Sequence, residues 1–217
     1  MRSIIFANGE FQLPVQSLEI LENDLVIAAD GGSRHCLTLG IIPAVLIGDL
    51  DSTEKDCLET WQKAGVEIIQ HPEDKDQTDL ELALLLAQNR GAREITVYGA
   101  IGGRLDMTLG NLTMLAHPVL QIPITLVNGC EEVHLLRPGE ELCLTGNPGE
   151  IVSLIPIRPG FSIATTIGLL YPLTNDPLEY GYTRGISNQL VEPTGKISLE
   201  SGLMVVIHTR KTLLEKQ

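Results

Sequence analysis

Leu25–Thr53 reads LVIAADGGSRHCLTLGIIPAVLIGDLDST. Its first five residues, Leu25–Ala29, and the later run Ala44–Ile47 are apolar at successive positions. A strand with one wet face alternates polar and apolar residues. A short run that is apolar throughout reads instead as a strand buried on both faces, as in a parallel sheet covered by helices. Between the two runs, Ser33–Leu39 reads as a helix. An acid closes each strand: Asp30 in ADGG, then Asp49 and Asp51 in IGDLDST. In open α/β sheets, ligands bind at the carboxyl ends of the strands. This one stretch therefore predicts both a layer type and the edge on which a site belongs.

The same alternation extends in both directions. Ser3–Ala7, Val66–Ile69, Glu94–Tyr98 and Ile124–Val127 read as further strands, and Glu54–Ala64, Thr78–Asn89 and Leu105–Ala116 as helices. In TDLELALLLAQ, Thr78 is a helix cap with Glu81 three residues on, the spacing of a capping box. Repeated strand and helix predict an α/β domain with a parallel sheet. The character changes near Asn128-Gly129. Beyond it, β-like runs (Glu132–Arg137, Glu141–Leu144, Glu150–Pro156, Ser162–Thr166, Leu203–Thr209) are separated by Pro-Gly, Gly-Asn-Pro-Gly and Asn-Asp-Pro turns. Two domains are expected, 1–128 and 129–217, the second an antiparallel sandwich or barrel.

Composition removes several classes. The chain has 217 residues, of which 43% are hydrophobic, enough to offset chain entropy and exclude disorder as the main state. A formal net charge of −13 repels phosphate backbones, so nucleic acid is not expected as a partner. A cationic small molecule, or an anion carried with Mg²⁺, suits that charge better. No stretch reaches the roughly 18 apolar residues of a membrane span. The opening MRSIIFANGE lacks the longer apolar region of a signal peptide, so a cytoplasmic protein without a membrane partner is expected. Cys36, Cys57, Cys130 and Cys143 form no CxxC pair, which argues for free thiols rather than disulfides or zinc.

The acids are the main functional signal. Besides Asp30, Asp49 and Asp51, the segments DKDQTD (Asp74–Asp79) and GGRLD (Gly102–Asp106) follow the fourth and fifth strands. Any one such acid is most simply a loop solvator or helix cap. Four acidic loops at equivalent points converge on one cleft. Mg²⁺ takes oxygen ligands and commonly uses one or two carboxylates plus phosphate oxygens. Asp49 and Asp51, two apart, share a face of an extended segment. Glycines 31, 32, 48, 102 and 103 permit close backbone approach to a phosphate, and Arg104 can grip one with both arms of its guanidinium. Neither GxGxxG nor GxxxxGK[ST] is present, which excludes the dinucleotide fingerprint and the P-loop.

Four segments together resemble the thiamine pyrophosphokinase family: ADGGSRHCLTLGIIPAVLIGDLDST, DKDQTDLELAL, GGRLDMTLGNLTML and, in the β-rich part, GLLYPLTNDPLEYGYTRGISN. The resemblance implies a Rossmann-like N-terminal domain, a C-terminal β-sandwich and a homodimer with the active site between subunits. It implies transfer of a diphosphate from ATP to the hydroxyl of thiamine with Mg²⁺, giving AMP and thiamine diphosphate. Position by position, Asp49, Asp51 and Asp79 match the metal-binding acids, and Asp30 an acid near nucleotide and metal. Arg104 and Asp106 match the Arg-x-Asp near the phosphates, and Gln77 and Thr78 match polar positions beside Asp79. Ser187 and Asn188 match a Ser-Asn that helps hold thiamine. Met107 and Gly110 depart from the His and Ala common there. In-line transfer rests on positioning and charge neutralisation, with Asp79 or Asp106 as proton acceptor.

Other readings compete. VLIGDLDST also fits the DxDxT of a haloacid-dehalogenase-like phosphatase, with Asp49 as nucleophile and Asp51 as acid. That motif belongs on a first strand, whereas here it follows the third. A nucleotide-binding module without turnover is a third reading. Tyr171 offers an aromatic face to a cation, though an aromatic in a β-domain is more often core or interface. His71 reads as a strand end and Trp61 as a packing residue.

Overall fold

The computed structural model describes residues 1–50 and 55–211, so Asp51 lies outside the described residues. The chain divides into two compact units: Met1–Leu13 with Ser17–Gly129, and Pro14–Gln16 with the residues from Cys130 on.

In the first unit, β1 (Arg2–Phe6), β2 (Leu25–Ala29), β3 (Val45–Gly48), β4 (Glu67–Gln70), β5 (Glu94–Tyr98) and β6 (Ile124–Asn128) lie in the order β6-β5-β1-β2-β3-β4. Every pairing is parallel, with Ile5 of β1 opposite Ile27 on one side and Val97 on the other. β2 and β3 are buried at every position. Ile4, Phe6, Val26, Ala28 and Leu46 join one cluster with Trp61, while Ile5, Ile27, Val45 and Ile47 are buried between them in sequence. Burial on both faces is the physical reason these strands read as unbroken apolar runs. Each such side chain contributes about 1.5–3 kcal/mol when removed from water.

The helices α1 (Ser33–Leu39), α2 (Lys55–Lys63), α3 (Asp79–Asn89) and α4 (Leu105–Met114) intervene. Thr78 caps α3, its Oγ1 accepting from the Glu81 N–H at 3.2 Å. The apolar side of α3, with Leu80, Ala83, Leu84 and Ala87 buried, packs over β1, β2 and β3. From β1 the chain builds outward through β2, β3 and β4, then resumes on the other side of β1 with β5. Loops leaving β1 and β5 therefore diverge, and a crevice opens at their carboxyl ends.

The second unit holds β7 (Glu131–Leu136), β8 (Glu141–Thr145), β9 (Ile151–Pro156), β10 (Phe161–Ile167), β11 (Asp176–Glu179), β12 (Asn188–Gln189), β13 (Thr194–Ser201) and β14 (Met204–Thr209). They form two antiparallel sheets, β12-β9-β14-β7 and β11-β10-β13-β8. Leu136, Leu154, Met204 and Val206 of the first share one core with Leu144, Ala164, Ile197 and Leu199 of the second, which makes the unit a sandwich. The sequence reading assigns no strand to β13, yet β13 pairs with both β8 and β10. Only its inward residues Gly195, Ile197 and Leu199 are buried, and they alternate with Lys196, Ser198 and Glu200. A strand with one wet face carries a weaker apolar signal than the parallel strands do. No helix among the described residues is long and apolar enough to cross a membrane.

Candidate active site at the carboxyl ends of the parallel strands

A pocket of about 540 Å³ opens where the strand order reverses. Asn8 and Gly9 after β1, Asp30 after β2, Thr78 and Asp79 at the start of α3, and the segment from Gly99 to Arg104 after β5 line it. Its size falls within the usual range for cofactor and small-ligand sites.

Asp30, Asp49 and Asp79 each present a carboxylate oxygen to this region, all within 4.8 Å of one another. Asp30 is buried and sits at φ 46, a left-handed conformation that Asp tolerates better than most residues. The Asn8 Nδ2 group donates to Asp30 Oδ2 at 3.0 Å, whereas Asp30 Oδ1 is buried without a hydrogen-bond partner. The approach depends on Gly48 at the end of β3. A Cβ there would lie 3.0 Å from the Asp30 Cβ and 3.2 Å from the Asp79 Cγ, at a φ of 150 that favours glycine. Burial, joined by the charges of Asp49 and Asp30, raises the Asp79 carboxyl above its ordinary value, against the opposing pull of Lys75. Lys75 Nζ stands 3.2 Å from Asp79 Oδ1 and 3.6 Å from Asp49 Oδ2. Three convergent carboxylates with an unsatisfied buried oxygen are costly unless a cation is bound. The donor set, all hard oxygen, fits Mg²⁺ or a similar divalent ion.

Arg104 precedes α4 at the pocket rim. Its guanidinium grips Asp106, Nε to Oδ1 at 3.1 Å and Nη2 to Oδ2 at 2.6 Å. Both side chains are well exposed, at 75% and 65%, so the fork is free to exchange its carboxylate for another anion. Gln77 is exposed and does not line the pocket. Gly31 and Gly32 do not line it either. A Cβ on Gly32 would fall 1.9 Å from the Phe6 carbonyl oxygen, so this glycine lets the turn after β2 pack on the end of β1. Asn8, Arg34 and Asn111 are among the lining residues that escape the sequence reading. Arg34 donates through Nη2 to the Asn8 side chain and through Nε to the Gly31 carbonyl. Asn111, buried on α4, donates to the Ala100 carbonyl at 2.6 Å. Asn8 and Asn111 carry no charge pattern, and Arg34 lies within a helix, so only the fold brings them to the pocket.

In the second unit, Ser187 is exposed at φ 61, its N–H donating to Ser153 Oγ. Asn188 is buried, and its amide is engaged within the chain. Its Oδ1 accepts from the N–H groups of Tyr171 and Gln189, and its Nδ2 donates to the Tyr171 carbonyl at 2.8 Å. Asn188, Tyr171, Arg184 and Ile186 help line a smaller cavity of about 320 Å³. Tyr171 itself is 66% exposed. His71 ends a strand, its N–H donating to the Gly48 carbonyl, and Trp61 is core.

Residues 18–126 match the thiamin pyrophosphokinase catalytic domain, and residues 139–204 the thiamin pyrophosphokinase vitamin B1 binding domain. The thiamine pyrophosphokinase of Bacillus subtilis is 33% identical over 189 residues, covering 87% of this chain and 88% of that protein. The Arabidopsis thaliana thiamine pyrophosphokinase 1 is 30% identical over 81% of this chain and 68% of that protein. A crystal structure of thiamine pyrophosphokinase from Bacillus subtilis superposes with a TM-score of 0.86 at 30% identity, covering 97% of this chain and all (100%) of that one. One from Geobacillus thermodenitrificans gives 0.83 at 27% identity, covering 98% and 99%. None of these similarities supports the phosphatase reading of DxDxT.

Proposed function

The chain belongs to the thiamine pyrophosphokinase family, and on that premise we propose that it transfers the diphosphate of ATP to the hydroxyl of thiamine, releasing AMP. The observation that carries this reading is the convergence of Asp30, Asp49 and Asp79 beside a pocket at the strand-order reversal. That reversal also favours a Rossmann-like description of the first domain.

We assign residues 1–128 to ATP and metal and residues 129–217 to thiamine. Asp49 and Asp79 would hold Mg²⁺, together with Asp51 by family resemblance, and Asp30, whose carboxylate lies within 4.8 Å of theirs, would stand beside the same ion. When bound, the ion neutralises charge on the phosphate oxygens. Arg104 exchanges Asp106 for a phosphate with the same two-armed geometry. Thr78, and Gln77 beside it, complete the phosphate loop at the positive end of α3. Gly31 and Gly32 serve the nucleotide side by fixing the turn that presents Asp30. Two carboxylates are available to accept the hydroxyl proton. These are Asp79 and Asp106, and Asp106 is released when Arg104 turns away.

Ser187 and Asn188 form the thiamine contacts, and Asn188 also holds the backbone of Tyr171, whose exposed ring lies beside them. The protein acts as a homodimer with the active site shared between subunits. Exposed Tyr171, Tyr182 and Ile186 in the second unit are in keeping with a covered surface. The cytoplasm, with its ATP, is its compartment. Incubation with ATP, Mg²⁺ and thiamine, followed by chromatography, tests the reading. AMP and thiamine diphosphate are expected; ADP or free phosphate as the only products would overturn it.

A further inference from the structure

Lys75 lies in DKDQTD, a loop of mixed charges. In the fold its side chain is only 12% exposed. Nζ is held at three points: the Pro72 carbonyl at 3.1 Å, Asp79 Oδ1 at 3.2 Å and Asp49 Oδ2 at 3.6 Å. Lys75 does not line the 540 Å³ pocket, whereas Asp30 and Asp79 do. The ammonium thus meets the acids from outside that pocket. Its charge changes the balance of the cluster. The three described carboxylates carry −3 when ionised, and the ammonium offsets one of those charges.

We propose that Lys75 is a built-in counter-cation of the acid cluster, a positioning residue that holds Asp49 and Asp79 together when no metal is bound. It weakens the affinity for a free divalent ion, so that the ion enters with a polyphosphate. This inference rests on the reading of Asp30, Asp49 and Asp79 as the metal site. The physics is simple. A divalent ion among the carboxylates lies close to the Lys75 ammonium and is repelled by it. A nucleotide brings its own negative charge to the pocket side and offsets that repulsion. Even with the dielectric of bulk water, removing one unit charge about 5 Å from a divalent ion strengthens binding about ten-fold or more.

The test is a direct Mn²⁺ titration of the full chain without nucleotide, followed by the resonance of free Mn²⁺. Lys75→Met is expected to bind Mn²⁺ about ten-fold more tightly than the wild type, and Lys75→Arg, which keeps the charge, to stay near wild type. Adding a non-hydrolysable ATP analogue is expected to shrink the difference. Without metal, Lys75→Met melts below the wild type, and Mn²⁺ restores it. Lys75→Gln is the second neutral variant should Lys75→Met not fold. Mn²⁺ binding by the neutral variants that is no tighter than wild type, undetectable binding included, overturns the proposal. Tighter binding that persists when Asp79→Asn is added shows the ion lies elsewhere, and overturns the acid-cluster reading together with the role of Lys75.

Discussion

Two regions, the strand-end acids and the surroundings of Asn188 and Glu150, treat buried polar groups in opposite ways. At the carboxyl ends of the parallel strands, Asp30 Oδ1 has no hydrogen-bond partner, Asp30 adopts a left-handed φ, and Asp79 is raised by burial beside two other acids. In the sandwich, Asn188 spends both ends of its amide on the backbone of Tyr171 and Gln189. Glu150, also buried, accepts from Asn147, from the Lys211 N–H and from His208, whose Nε2 is 2.8 Å away. A polar group bonded within its own chain stabilises the fold. One left unsatisfied at a cleft costs stability, and that cost is understandable where a ligand takes up the bond. The two sets should therefore respond to mutation in opposite senses.

The largest effect is expected at the acids. Asp49→Asn or Asp79→Asn should lower turnover by about three orders of magnitude through loss of charge neutralisation. The melting temperature should hold or rise, because like charges are removed. Steady-state kinetics and calorimetry on the same samples would check this, and a large stability loss would move these acids into the structural set. Arg104→Lys comes next. It keeps the charge but loses the fork, and kcat/KM should fall about 100-fold with the melting temperature unchanged. Wild-type kinetics would leave Arg104 as a surface partner of Asp106.

Asn188→Ala should behave the other way, with about 1–3 kcal/mol of stability lost as the Tyr171 N–H and carbonyl lose their partners. Ser187→Ala, at an exposed position whose N–H bond to Ser153 Oγ the substitution keeps, should leave stability alone and raise the KM for thiamine. If Asn188→Ala proves as stable as wild type, saturation of its bonds is not what holds that loop.

How much of this was legible in the sequence follows the same division. β2 and β3 stand out because both faces are buried, and the site acids stand out because they follow strands. β13 does not, since its Lys, Ser and Glu face outward. The positive φ of Asp30, the grip of Asn188 on Tyr171 and the approach of Lys75 to Asp49 are all products of tertiary placement. The pairs lie 17 and 26 residues apart in sequence, beyond the reach of local pattern. Asn188 shows the consequence: family resemblance marks it as a thiamine ligand, and only the fold shows that its amide also bonds the Tyr171 backbone.

The smallest expected effect concerns acid stability. Burial, opposed in part by Glu132, lowers His134 from 6.5 to about 4, and burial lowers His208 as well. A folded-state value below the unfolded one means the contribution is complete above about 6.5 and is lost as pH falls toward 4. Calorimetric melting temperatures should therefore decline across that window, and His134→Phe should flatten the decline. An identical pH profile in the variant would show that this histidine does not couple to folding.

Asp30→Asn tests the contrast between unsatisfied and saturated groups most directly. Asn tolerates the left-handed backbone as Asp does and can still accept from Asn8, so the substitution removes the charge and little else. Turnover at saturating ATP, Mg²⁺ and thiamine should fall at least about 100-fold while the melting temperature is held or raised. Turnover within two-fold of wild type, or a melting temperature lowered by several degrees, would mean that the buried, unpartnered oxygen of Asp30 marks no site.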